Sequence, residues 1–145
     1  MKLPWYIAAL GAAVIWGIHY PLVDNALRKL SMISVLVLTA IPLLLVAPFF
    51  YKSLAADYEV LKNLGWVGSA PILALALTSL AGSVLLFMSI DSKNATLASV
   101  IEISYPLFVG LFAYVLFQHM HVNASVVVGG LLVFAGVVII ILNNP

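Results

Sequence analysis

The chain has 145 residues and a net charge of +1, with 65% hydrophobic and 8% charged side chains. Soluble domains carry roughly 25% charged residues, so this composition cannot solvate a globular surface; it indicates an integral membrane protein, expected as one domain over 1–145. The near-zero charge excludes nucleic acid as a partner, and the lack of cysteine excludes a disulfide framework, a thiolate metal site and a thiol nucleophile.

Five hydrophobic stretches, at about 3–23, 31–50, 65–90, 94–118 and 124–142, predict an all-α membrane fold with five transmembrane helices. Roughly twenty residues at about 1.5 Å rise match a hydrocarbon core of about 30 Å. The first stretch follows Met1-Lys2 as a secretory leader would, but Trp16, His19 and Pro21 prolong it without a clean cleavage site. It is therefore expected to remain as a helix. Its far end, Trp16-Gly17-Ile18-His19-Tyr20-Pro21, crowds aromatic, small and polar side chains together. Pro21 withholds a hydrogen bond from the carbonyl of Gly17, and a kink is expected there. Trp16, His19 and Tyr20 suit either an interfacial aromatic belt or a cavity wall, where aromatic faces favour cationic or ring-bearing solutes.

Asp24 to Leu30 reads as the first loop. The second stretch holds Pro42 and Pro48, which mark bends that neighbouring helices can satisfy. Tyr51 to Leu64 is the most polar segment, and Leu54, Tyr58 and Leu61 at four- and three-residue spacing predict a short interfacial helix. In the third stretch Gly68, Ser69, Pro71, Thr78, Ser79, Gly82 and Ser83 offer small-residue helix packing or substrate contact. Asp91-Ser92-Lys93-Asn94 forms a tight turn in which Ser92 or Asn94 can cap the next helix. His119 and His121 in the last turn have no carboxylate or cysteine beside them, so no metal site is expected. In the fifth stretch Gly129 and Gly136 are seven residues apart and return to nearly the same face. They leave a smooth strip for a helix of the same bundle or of a second subunit.

The fourth stretch, Asn94 to Gln118, organises the rest because it carries one acid, Glu102, and one proline, Pro106. On a continuous helix Glu102 lies about 6 Å from the bilayer midplane, where an ionised side chain costs at least about 2.5 kcal/mol. Pro106 has no N–H and frees the carbonyl of Glu102 at that depth. Three- and four-residue spacing puts Ser99, Glu102, Tyr105 and Pro106 on one face, so hydroxyl, carboxyl, phenol and freed carbonyl converge as the floor of a transport cavity. Hydrocarbon favours the neutral form of a carboxyl, which lets such a group take a proton from one side and release it when a substrate arrives. Intramembrane catalysis finds no nucleophile and base at helical spacing, so neither an enzyme nor a cofactor is expected.

Three landmarks in this order resemble the five-helix unit of the drug/metabolite transporter superfamily, the EamA-type domain. Trp16-Gly17-Ile18-His19-Tyr20-Pro21 is similar to the Trp-Gly end of the family's first helix. Asn94-Ala95-Thr96-Leu97-Ala98 leading to Pro106-Leu107-Phe108 is similar to the small-residue entry and proline of its fourth. Gly129-Gly130-Leu131-Leu132-Val133-Phe134-Ala135-Gly136-Val137 resembles the glycine, apolar run and glycine of its fifth, which the related small multidrug resistance proteins also use for dimer contact. The chain departs from the family in the last turn, where Gln118, His119, Met120 and His121 stand in place of a frequent acid. Many members join two such units, and this chain holds one. Small multidrug resistance proteins exchange protons against cationic substrates through one intramembrane glutamate, but in their first helix, so Glu102 matches it in kind and not in position.

These observations predict a transporter of a small organic solute in the cell (inner or plasma) membrane, coupled to protons through Glu102 and working as a homodimer. A non-transporting accessory subunit, with Glu102 merely bonded to a neighbouring helix, is the alternative. Five crossings place Lys2, Lys52 and Lys62 on one side and Arg28, Lys29 and Lys93 on the other. Three against three leaves almost no positive-inside bias, and an antiparallel pair is expected, with Gly129 and Gly136 at its contact. A parallel pair or a different partner chain is the other possibility.

Overall fold

The computed structural model describes residues 4–118 and 123–144, and every regular element among them is a helix. In chain order these are α1 (Trp5–Leu27), α2 (Met32–Val46), a 3-10 turn (Ala47–Phe50), α3 (Tyr51–Ser92), α4 (Ala95–Glu102), α5 (Tyr105–Phe117) and α6 (Ala124–Asn143). Four helical stretches among the described residues are long and apolar enough to cross a membrane: Trp5–Leu27, Met32–Ser92, Ala95–Phe117 and Ala124–Asn143. The second and third of the five expected stretches fall within the single 61-residue run Met32–Ser92. The chain divides into two compact units, Met1–Pro21 with Ser92–Pro145, and Leu22–Asp91.

In the unit Leu22–Asp91, α1 continues to Leu27, so the expected loop at 24–30 is shorter than the sequence implied. Asp24 accepts from Arg28 at 3.0 Å, one helical turn on, and this ion pair holds the polar end of α1 in helical form. Ser31 then caps α2 by accepting from the Ser34 N–H at 3.3 Å. Pro48 falls at the start of the 3-10 turn, where its missing N–H costs no helical bond. Within α3, Gly65 has φ 65° and ψ −176°, a conformation open essentially to glycine alone. It separates the polar 51–64 helix from the apolar 66–92 helix. Ser69, 6% exposed, donates to the Leu61 carbonyl at 2.8 Å across this break, satisfying a carbonyl of the last turn before it.

In the other unit, Asn94 is extended (φ −177°) and its side chain accepts from the Leu97 N–H at 2.9 Å, so Asn94 starts α4. The continuous helix expected over 94–118 is divided. α4 ends at Glu102, the Ser104 N–H reaches back three residues to Ile101 at 3.2 Å, and α5 begins at Tyr105 with Pro106 in its first turn. The physical reason is Pro106: it has no N–H for the carbonyl of Glu102, and its ring would press on that carbonyl. The chain resolves both by restarting the helix with the proline where a donor is not needed. Asn123 caps α6 by accepting from the Val126 N–H at 3.0 Å. α6 packs on both α4 and α5. Gly130 permits the second approach, because a Cβ there would collide with the Leu107 side chain, whereas Gly129 and Gly136 face open space.

Apolar side chains are largely uncovered, with Phe49 84%, Trp66 79% and Val67 86% exposed. Water would not tolerate such a surface; lipid tails are its solvent. The last turn at His119 and His121, including the expectation that it holds no metal, lies outside the described residues.

The Gly65 break gives a clean test, since a Cβ at Gly65 would meet no neighbour and only the backbone conformation opposes it. Gly65→Ala is expected to destabilise the purified protein by about 1–3 kcal/mol in thermal unfolding. Gly82→Ala, on the same helix and also in open space, is expected to stabilise it by up to about 1 kcal/mol.

Candidate functional site

The residues singled out on α1 stand on neighbouring turns and meet as a ring cluster. Trp16 and His19 lie edge to face with centroids 5.1 Å apart, Trp16 and Tyr20 are tilted at 5.6 Å, and His19 and Tyr20 at 6.2 Å. The spacing of three and four residues brings His19 and Tyr20 beside Trp16, because it returns side chains to one face. α1 continues through Pro21 in the helix interior.

Glu102 occupies the last position of α4, half-buried. Tyr20 donates its phenol O–H to Glu102 Oε2 at 2.6 Å, a bond between side chains 82 positions apart, both within one unit. The phenol is the described side-chain donor to Glu102. The cluster therefore combines one acid and three aromatic rings; none of the helices α1, α4, α5 and α6 contains Lys or Arg.

The structure does not gather every residue of the expected face. Ser99 turns its hydroxyl back to the Thr96 carbonyl at 3.0 Å, the usual way for a helical serine to satisfy itself. Tyr105 begins α5 beyond the break and is 57% exposed, yet stands near enough to Tyr20 to act on it electrostatically. Pro106 instead lines an apolar groove of about 240 Å³ between α5 and α6, together with Ile103, Ser104, Leu107, Val126, Gly129, Gly130 and Val133. That groove includes none of Glu102, Trp16, His19 or Tyr20. Gly136 lies one residue before the buried Val137 of α6. Sequence reasoning left Tyr20 either in an interfacial belt or on a cavity wall and missed the direct bond to Glu102; no spacing rule connects two residues so far apart. Gly130, the glycine pressed against Leu107, was passed over for Gly129 and Gly136, although all three stood in the same run. Among the described residues no group of three His, Cys, Asp or Glu side chains is placed to hold a metal.

The Tyr20 to Glu102 bond makes the two positions energetically coupled. In a thermal-unfolding cycle of Tyr20→Phe, Glu102→Ala and the double variant, the coupling is expected at about 1–2 kcal/mol. Additive losses would separate the two side chains.

Against known proteins, the family model described as EamA-like transporter family matches residues 3–142. No curated protein and no solved structure matches the chain. The match overlaps all four candidate membrane stretches and includes the cluster around Glu102. Its members are transporters rather than enzymes, and the apolar helices agree with a multi-pass membrane protein. A match over nearly the whole chain, on a wholly helical and apolar framework, establishes that this protein belongs to the EamA-like transporter family.

Proposed function

We propose that the chain carries a small organic solute across the cell (inner or plasma) membrane in exchange for protons, with Glu102 as the proton-carrying group. The observation that carries this reading is the Tyr20 to Glu102 hydrogen bond at 2.6 Å. An acid in a hydrocarbon-spanning stretch is costly; here it receives a donor from another helix. Trp16, His19 and Tyr20 would line the solute's path, and Ser99, Tyr105 and the break at Pro106 would border it. The same hydrogen bond also favours a second reading, an accessory subunit in which Glu102 only ties α4 to α1.

The proposed topology has five crossings. A 61-residue run extends about 90 Å as helix, three times the thickness of a hydrocarbon core. Gly65 and the charges Lys52, Asp57, Glu59 and Lys62 divide it into two crossings flanking a segment at the membrane surface. The lysine and arginine count is then three on each side, which supports two opposed insertions and an antiparallel homodimer. The open faces of Gly129 and Gly136 supply a surface for its contact; a parallel pair or a different chain would use the same strip.

Glu102→Gln keeps the side chain's shape and removes its charge. In vesicles with an imposed pH gradient this variant is expected to lose gradient-driven uptake by at least about tenfold; unchanged uptake would leave the accessory reading. Trp16→Leu is expected to weaken solute binding more than folding, and equal affinity in a correctly inserted variant would return the rings to an interfacial belt. For the dimer, a carboxyl-terminal reporter of membrane side is expected to show both orientations in the native chain. Two lysines added to either set of loops should drive it to one, and a single native orientation unmoved by those lysines would exclude the antiparallel pair.

A further inference from the structure

We infer that the 51–64 helix of α3 lies flat along the boundary between lipid headgroups and hydrocarbon and docks there through one face, Tyr51, Leu54, Tyr58 and Leu61, held by apolar burial and not by charge. The inference takes from the five-crossing reading only that both ends of this helix meet the same membrane face. α2 and the 3-10 turn together rise about 30 Å, one hydrocarbon thickness, so Phe50 arrives at the surface where the polar sequence begins. At the other end the apolar helix resumes at Trp66, an exposed residue of the type that settles at this depth. Set upright, the 51–64 helix would separate its ends by about 20 Å; two ends at one depth lay it down.

The distribution of side chains selects the face. At about 100° per residue, Tyr51, Leu54, Tyr58 and Leu61 fall within about 80° of one another. The opposite side carries Lys52, Ser53, Ala56, Glu59 and Asn63, with Val60 its one large apolar residue. Tyr51, Leu54 and Tyr58 are each more than half exposed, so the fold leaves them uncovered. Lys62, at the edge of the apolar face, reaches water along its own stem and meets Glu59 at 3.7 Å. Lys52 and Lys62 balance Asp57 and Glu59. A helix whose charges balance gains nothing from anionic lipid, which leaves its apolar area as the attraction.

The corner at Gly65 holds this face down. Positions eight apart on an unbroken helix stand about 12 Å apart along its axis, yet Ser69 donates to the Leu61 carbonyl at 2.8 Å, so the chain turns sharply at the glycine. Inside the corner the fit is close, since a Cβ at Gly68 would stand 3.1 Å from that of Leu64. The last turn of the surface helix and the first turn of the crossing are thus bonded and packed together. Leu61, whose carbonyl takes the bond, also belongs to the docking face, and the corner therefore sets the rotation of that face about the helix axis.

The chain has no cysteine, so single substitutions from Tyr51→Cys to Leu64→Cys carry a nitroxide label without background. In the full chain in phosphatidylcholine vesicles, collision of each label with oxygen, which concentrates in lipid, is compared with collision with a water-soluble nickel chelate. The oxygen-to-nickel ratio is expected to be at least about fivefold higher at Leu54 and Tyr58 than at Lys52 and Glu59. It is expected to change less than about twofold when part of the lipid is phosphatidylglycerol; a larger rise overturns the apolar basis. Ser69→Ala is expected to reduce the contrast between Leu61 and Asn63 at least about twofold, and an undiminished contrast overturns the corner's part. High nickel collision at every position, as for a helix standing in water, overturns the inference. A face shielded from both probes, as by another protein surface, also overturns it. The topology is read separately in a chain carrying both Arg28→Cys and Ala56→Cys, treated with a membrane-impermeant thiol reagent. Five crossings leave one thiol labelled in each molecule whichever way it is inserted; doubly labelled molecules would overturn the five-crossing reading, while the periodic contrast would still uphold the docked face.

Discussion

An acid set within hydrocarbon has to be given a donor, and the arrangement around α4 follows from that need. Glu102 is reached by Tyr20 from α1, which requires α1 and α4 to hold their neighbouring turns at matching positions. On α4 itself the Ser99 hydroxyl turns to its own backbone. Neither helix contains Lys or Arg to serve instead. A phenol is a group both apolar enough for the span and able to donate strongly. Tyr20 also brings Trp16 and His19 with it, because helical spacing ties the three together. One polar requirement thus determines the composition of the whole cluster.

The packing that frames this cluster is sparse and specific. α6 approaches α5 where Gly130 presents bare backbone to Leu107. In lipid, which offers helices no hydrophobic reward for association, such close approach is what association consists of. The remaining apolar surfaces need lipid or another protein surface, which is why the fold has few buried side chains without being unstable in its own solvent. Val137 and the small Ala95 and Ala98 are the buried residues of α4 and α6.

Much of this was legible in the residues. Composition alone gave the membrane class, and the order of tryptophan, proline and glycine landmarks gave the family. Ser92 or Asn94 was expected to cap α4, and Asn94 does so; the contacts of Trp16 with His19 and Tyr20 follow from spacing. What could not be read is non-local or conformational. The Tyr20 to Glu102 bond joins distant positions, and no local rule predicts a partner across that separation. Pro106 signalled a disturbance, but a kinked helix and two separate helices satisfy the same missing N–H; the back-bonding at Ser104 decided between them. Gly65 was not singled out in the sequence, and its positive φ is what distinguishes it.

The break between α4 and α5 also has an electrostatic meaning. Each helix carries about half an elementary charge at its ends, negative at the carboxyl end and positive at the amino end. A continuous helix would hold these ends far from Glu102. Instead α4 ends at Glu102 and α5 begins three residues on, so the carboxyl group sits between two opposed partial charges of similar size. Both charges meet at the joint of Ile103 and Ser104, so a small rotation of that two-residue backbone re-aims the two helix ends against each other.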